Sequence, residues 1–244
     1  MSAPSVITID GPAGAGKSTL GELLARRLGY LFFDTGVMYR ALAWAVLRSA
    51  IDPEDSEAVA ALARTLDIQV LPPGDATDGR PYTVLVNGID VTWELRRPDV
   101  ERIVSIAARH PAARAIMRER QRFIGCRGRV VMVGRDIGSI VMPDAPLKIY
   151  LDASIDERAR RRTDEIQRRG GSADLHHIRN DILRRDSLDR HVSAPAADAC
   201  IIFSDGLSPE QVVDLVIACI DNDGNVSRDT RAYERAQTPD SAGP

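Results

Sequence analysis

Ser5-Val6-Ile7-Thr8-Ile9-Asp10, then Gly11-Pro12-Ala13-Gly14-Ala15-Gly16-Lys17-Ser18, then Thr19-Leu20 is the stretch whose reading decides the fold. The first six residues are short and rich in β-branched side chains, as a buried parallel strand requires. The glycine segment satisfies G-x-x-x-x-G-K-[ST], and beyond it Leu20, Leu23, Leu24 and Leu28 recur at helical spacing. Strand, glycine loop and helix in that order form a phosphate-binding unit. Glycines let backbone N–H groups line a concave nest, and the helix N-terminus adds the positive end of its dipole, so the loop suits a polyphosphate. Gly11, Pro12, Ala13, Gly14, Ala15, Gly16, Lys17, Ser18 and Thr19 are therefore read as the ATP-binding loop. Lys17 would place a compact ammonium on the β- and γ-phosphates as a catalytic group, and the Ser18 hydroxyl would be a Mg²⁺ ligand. Arginine is no substitute there, because its planar fork does not fit so narrow a cradle.

Working outward, the 244 residues suit one α/β core carrying an inserted subdomain. Hydrophobic content of 44% with 27% charged residues is that of a soluble globular chain. No apolar run approaches the roughly 20 residues that cross a bilayer, so no membrane association is expected. The N-terminus has neither a basic start nor a long apolar stretch, so no secretory leader is expected and the location is read as cytoplasmic. Cys126, Cys200 and Cys219 are widely spaced with no C-x-x-C, which argues for reduced thiols rather than a disulfide framework or zinc site. A net charge of −3 gives no reason to expect nucleic-acid binding. Of the 32 basic residues only Lys17 and Lys148 are lysines. Arginine bias accounts for much of that, but it singles out Lys17.

Downstream, Tyr30-Leu31-Phe32-Phe33 predicts a second strand ending at Asp34-Thr35-Gly36, and a helix follows to about Arg48. Residues 54–66 read as helix. Ile68–Leu71 and Tyr82–Val86 are strand-like, and the latter runs through Asn87-Gly88 into Ile89-Asp90-Val91-Thr92, a strong hairpin signal. An antiparallel hairpin fits poorly in a βαβ series, so about 65–124 is read as an insertion between core segments 1–64 and 125–221. Helices are expected at about 98–109 and 112–123, strands at 130–133 and 147–151, helices at 154–169 and 174–189, a strand at 200–203 and a helix at 208–220. Residues 154–172 suit a helical lid, with Arg158, Arg161 and Arg162 on one face as further catalytic groups. The polar tail 222–244 is expected to be disordered.

The loop by itself admits several acceptors. No Asn/Thr-Lys-x-Asp is present to read guanine, which sets aside signalling GTPases, and the candidate strand after the insertion ends in Gly-Arg-Asp rather than the Asp-Glu of motor ATPases. Small kinases must bind a second anion and exclude water from the phosphoryl group. Arg40 and Arg135, at the ends of core elements beside Asp34 and Asp136, suit the first need, because ligands bind at the carboxyl ends of parallel strands.

Five segments carry a family resemblance: Ile9-Asp10-Gly11-Pro12 with the loop; Phe33-Asp34-Thr35-Gly36-Val37-Met38-Tyr39-Arg40; Val86-Asn87-Gly88-Ile89-Asp90-Val91-Thr92; Gly134-Arg135-Asp136-Ile137-Gly138-Ser139 with Pro143-Asp144-Ala145; and Arg185-Asp186 with Asp189. In these the chain resembles the bacterial cytidylate kinases, from about Val6 to Ile220. The resemblance implies a parallel-sheet P-loop kinase core of three layers (α/β/α) with an inserted NMP-binding region, and transfer of the ATP γ-phosphate to CMP and dCMP with Mg²⁺, by a monomer. Carried over by position, it implies Thr35, Arg185 and Asp189 near the sugar, Arg40 and Arg135 near the acceptor phosphate, and Ser105, Arg114 and Asp136 at the base. Asp34 would orient the metal's water shell. The base trio also makes chemical sense independently, because a carboxylate accepting from the cytosine amine and an arginine donating to the neighbouring ring nitrogen and carbonyl are complementary. One departure follows Asp189, where the segment is about four residues shorter than in the family, so the expected phosphate-site arginine is either Arg190, displaced, or missing. A kinase for another acceptor, such as UMP or a metabolite alcohol, and an ATP-binding module without turnover stay open at this stage.

Overall fold

The structure, a computed structural model, describes residues 3–168, 172–189 and 194–221. Strand β1 (Val6–Asp10) is buried along its whole length, and the chain turns through the glycine loop into helix α1 (Lys17–Leu28). Strand β2 (Leu31–Asp34) leads to helices α2 (Gly36–Arg48) and α3 (Ser56–Thr65). Strands β3 (Ile68–Leu71), β4 (Thr83–Val86) and β5 (Ile89–Asp90) come next, then a 3₁₀ turn at Glu94–Arg96, and helices α4 (Pro98–Arg109) and α5 (Pro111–Gly125). Strands β6 (Val130–Val133) and β7 (Leu147–Asp152) resume the core. Helices α6 (Ile155–Arg168) and α7 (Leu175–Asp189), strand β8 (Cys200–Phe203) and helix α8 (Pro209–Asp221) close it.

Two sheets form, as the change of pattern at residue 68 predicts. The main sheet runs β2-β6-β1-β7-β8 with all pairings parallel. β1 is central, and after it the chain goes to β2 on one side and only later to β7 on the other, which opens a crevice at the carboxyl ends of the strands. The three layers follow from the period of two in β6. A Cβ on Gly21 of α1 would lie 2.5 Å from Val133 Cγ2, and one on Gly125 of α5 would lie 2.8 Å from Met132 Sδ. Neighbouring β6 residues point to opposite faces, so α1 and α5 cover opposite sides of the sheet.

The small sheet β3-β4-β5 is antiparallel. Its turn is the expected one: Asn87 (φ 49°) and Gly88 (φ 79°) both have positive φ, as a two-residue hairpin of this kind needs. The last strand stops two residues earlier than expected. Val91 N–H still donates to the Val84 carbonyl at 3.0 Å, but Asp90 Oδ1 accepts from the Thr92 amide at 3.0 Å and the Thr92 hydroxyl at 2.7 Å, and the Thr92 hydroxyl oxygen takes the Val84 N–H at 2.9 Å, so side chains replace the pairing from there on. The sheet seats against the core through Tyr82, whose ring centre is 5.7 Å from that of Phe32.

Helices α6 and α7 share a small hydrophobic cluster of their own, built on Ala159, Ile178 and Ile182 and separate from the main core. The expected lid thus pairs with the helix after it; residues 169–171, within the expected lid span, lie outside the described residues, as does the tail 222–244. Lys148 is the other of the two lysines. It sits on β7 beside Thr8, its stem passes Gly138, and its ammonium donates to both oxygens of Asp198 at 2.9 and 2.7 Å. Cys200 and Cys219, widely spaced in sequence, come together with their sulfurs 2.9 Å apart.

Candidate active site

The glycine loop has the backbone its composition predicts. Gly11 has φ 144°, and a Cβ there would fall 2.0 Å from the Leu151 carbonyl oxygen, so no other residue fits. Gly16 caps α1 in the left-handed region at φ 97°. Lys17 opens the helix, and its ammonium donates to the Pro12 carbonyl at 2.7 Å across the loop. Desolvation within the loop, then repulsion from Arg135 and Arg158, lowers Lys17 to about 8, although Asp10 and Asp34 pull the other way. Ser18 and Thr19 are exposed at the start of α1.

The carboxyl ends of β2 and β6 bring the acceptor-side residues next to this loop. Thr35 is buried, and both its amide and its hydroxyl donate to the Val133 carbonyl at 3.0 Å, so β2 and β6 end together. Asp34 Oδ1 accepts from the Gly36 amide at 3.0 Å, a side-chain turn just ahead of α2 that orients the carboxylate. Arg40, one turn into α2, donates through Nε to Glu101 of α4 at 2.8 Å. Ser105 lies exposed further along α4.

Beyond β6 the chain makes a turn that sequence periodicity did not predict. Val141 N–H bonds the Asp136 carbonyl at 3.1 Å and Met142 N–H bonds that of Ile137 at 2.6 Å, an i→i+5 pattern over Ile137–Val141. Its first amides point at Asp10, whose carboxylate accepts from Ile137 N–H at 2.9 Å and Gly138 N–H at 2.7 Å. Asp10 was not singled out as a site residue, although it adjoins the glycine loop. Burial pushes its carboxyl up to about 6 in spite of those two bonds, with nearby Asp136 adding to the rise. The π-type turn places Arg135 and Asp136 at the crevice, where Arg135 is close enough to act on Lys17.

Asp136 is nearly buried and meets two arginines of α5. Arg118 Nη2 lies 2.7 Å from Asp136 Oδ2, and Arg114 Nη2 lies 3.9 Å from the same oxygen. The Arg114 guanidinium is also stacked 5.4 Å over the Tyr39 ring. Arg118 was missed. Its only sequence signal is that it follows Arg114 by four residues, so the two share a helix face.

The arginines of α6 divide. Arg158 is buried, donating to the carbonyls of Ala153 at 3.0 Å and Ala13 at 3.1 Å and to Asp186 of α7 at 2.7 Å. Arg161 donates to the Ala15 carbonyl at 3.0 Å, to the Ser204 carbonyl at 2.6 Å and to Glu157 at 2.8 Å. Both therefore grip the outside of the glycine loop. Arg162 is about half exposed and pairs with Glu165 at 2.6 Å. Arg185 and Asp189 lie on α7, but their side chains are outside the described residues, and Arg190 is outside them altogether.

Known proteins match the sequence of this chain over nearly its full length. The sequence pattern of the family described as "Cytidylate kinase" matches residues 7–222. A protein named cytidylate kinase from Roseiflexus castenholzii is 85% identical over 232 residues, covering 95% of this chain and all of that one. One of the same name from Chloroflexus aggregans is 60% identical over 217 residues, covering 89% of this chain and 94% of that one. A bifunctional pantoate ligase/cytidylate kinase from Synechococcus is 43% identical over 219 residues, which are 88% of this chain and 44% of that protein. With a family match that takes in the phosphate loop, the insertion and the Asp136 turn together, this chain belongs to the cytidylate kinase family of phosphotransferases.

Proposed function

We propose that the protein transfers the γ-phosphoryl group of ATP in line to CMP or dCMP, giving CDP or dCDP. The observation that carries this reading is Asp136 in the turn after β6 with the Arg114 guanidinium 3.9 Å away. A carboxylate accepts from the exocyclic amine of cytosine while an adjacent guanidinium donates to its ring nitrogen and carbonyl, whereas uracil would turn a carbonyl toward the anion. Relatives named cytidylate kinase support the same substrate.

Gly11–Thr19 would hold the triphosphate, with Lys17 on the β- and γ-phosphates. The oxygen donors Ser18, exposed on the first turn of α1, and Asp34, near enough to act on Lys17, fit a Mg²⁺ ion, Ser18 directly and Asp34 through water. The ion, when bound, supplies positive charge on the phosphates. Arg158 and Arg161, already against the loop, and Arg162 on the same helix would screen the transferring group from water and offset its charge. Arg40 and Arg135 would take the acceptor phosphate, helped by Arg190; Thr35, Arg185 and Asp189 would lie near the sugar; Ser105 would join Arg114 and Asp136 at the base. No protein base is needed, because the attacking phosphate oxygen is already an anion.

In this reading the core is 1–64 and 125–221, the NMP-binding region is about 65–124 and the lid is about 154–172. The enzyme works as a cytoplasmic monomer on small nucleotides; no described helix is long and apolar enough to cross a membrane. A coupled assay across CMP, dCMP, UMP, AMP and shikimate tests the proposal. Turnover is expected with CMP and dCMP well above the others, and a rate on both that does not exceed background would sink it.

A further inference from the structure

Two arginines on one face of α5 meet Asp136 differently. Arg118 makes the short contact, with Nη2 donating to Oδ2 at 2.7 Å. Arg114 stays 3.9 Å from that oxygen and is held elsewhere, its guanidinium 5.4 Å over the Tyr39 ring and its Nη1 donating to the Ala108 carbonyl at 3.3 Å. Arg118 Nε is buried with no hydrogen-bond partner. An unpaired buried N–H is unfavourable, so this conformation is kept for what the other end of the group does.

A carboxylate can accept on both oxygens. With Oδ2 bonded to Arg118, Oδ1 is the oxygen left to receive a ligand's N–H, and Arg114 need not close the last ångström onto Asp136. We propose that Arg118 is the positioning residue of the base site: it fixes the Asp136 carboxylate with Oδ1 toward the exocyclic amine of a cytosine, and it leaves Arg114 to donate to the ring nitrogen and carbonyl. This rests on the reading of Asp136 and Arg114 as the base site. Without Arg118 the nearest cation to Asp136 is Arg114, and the two would turn from the base to each other. Cytosine then loses an aligned acceptor and a donor together, while uracil loses the fixed anion that opposed it. Base specificity becomes the work of three side chains, one in the turn after β6 and two on α5.

The test compares Arg118→Met, Arg118→Lys and Asp136→Asn, with initial rates on CMP and on UMP at saturating ATP. Arg118→Met is expected to raise KM for CMP more than it lowers kcat, and to reduce the CMP-to-UMP ratio of kcat/KM by about tenfold, the loss expected for one charge-assisted hydrogen bond. KM for ATP should be unchanged, and Arg118→Lys should restore part of the ratio. If Asp136→Asn collapses the ratio while Arg118→Met lowers both substrates alike, Arg118 is structural and the inference is overturned. If Asp136→Asn leaves the ratio intact as well, the base-site reading itself fails. Should the methionine variant fold poorly, Arg118→Gln carries the same comparison, since it keeps a polar side chain and removes the charge.

Discussion

The phosphate loop and the acceptor face lie side by side in one crevice but are built in different ways. Nine consecutive residues make the loop, and its geometry comes from backbone: a Gly11 where the Leu151 carbonyl leaves no room for a Cβ, a left-handed Gly16, a lysine reaching back to Pro12. The acceptor face takes side chains from β2, α2, α4, α5 and the turn after β6, and holds them by ion pairs such as Arg40–Glu101 and Arg118–Asp136. A backbone cradle is local and rigid before any ligand arrives. An assembled face can be lost one contact at a time, and it reads the shape of its ligand through the same contacts.

The sharpest way to break the comparison is Lys17→Arg. In a chain with 32 basic residues, nearly all arginine, the change keeps charge and follows the prevailing composition, yet kcat should fall about 10³-fold because the fork does not fit the cradle. Near-normal kcat would show that charge alone suffices. Arg158→Ala tests whether the loop also needs support from outside. It leaves Asp186 without its 2.7 Å partner in a site where Arg158 is buried, which should cost about 3 kcal/mol, read as faster amide exchange in α6 and α7. Unchanged exchange would mean that the small α6–α7 cluster holds by itself. On the acceptor face, Asp136→Asn should lower kcat/KM for CMP by about 10- to 100-fold with KM for ATP unchanged, since base contacts of this kind are worth about 1–3 kcal/mol. A parallel rise in KM for ATP would erase the division between the two regions.

Two pH effects are smaller and again separate the regions. Lys17 titrates at about 8 without ligand, and a bound triphosphate must raise it. Binding above pH 8 therefore takes up a proton, and ATP affinity should weaken toward tenfold per pH unit there while CMP affinity does not follow; calorimetry in buffers of different ionisation enthalpy measures the proton directly. Asp10 is the opposite case in charge, a carboxyl raised to about 6. The folded state keeps its proton to higher pH than the unfolded chain, so Asp10's contribution to stability is largest at low pH and is lost as pH rises through 6. Between pH 5 and 7 this amounts to about 1 kcal/mol, so the stability of Asp10→Asn relative to the parent should improve by that much over the interval. A pH-independent difference would mean that Asp10 titrates normally.

Some elements were legible because their cause is local. The Asn87-Gly88 hairpin, the strand before the glycine loop and the Pro98 start of α4 all stand where the residues predict them. Asp10 and Arg118 were not, since adjoining the glycine loop or following Arg114 by four residues does not say what either side chain meets. Asp10 matters through amides about 127 residues away, and Arg118 through a carboxylate on another element. The same distance separates two readings of α6. Helical spacing puts Arg158, Arg161 and Arg162 together, but the bend of the glycine loop against the helix decides that the first two hold its carbonyls and the third faces Glu165.

By itself, then, the sequence determined the phosphate loop, the alternation of elements and the family, because glycine geometry, hydrophobic period and turn chemistry act within a few residues. The order β2-β6-β1-β7-β8 brought the loop, Thr35 and the Asp136 turn to one crevice. Only the tertiary structure decided which arginine holds which carboxylate. That choice depends on where separate helices set their side chains, and ion pairing acts across space rather than along the chain.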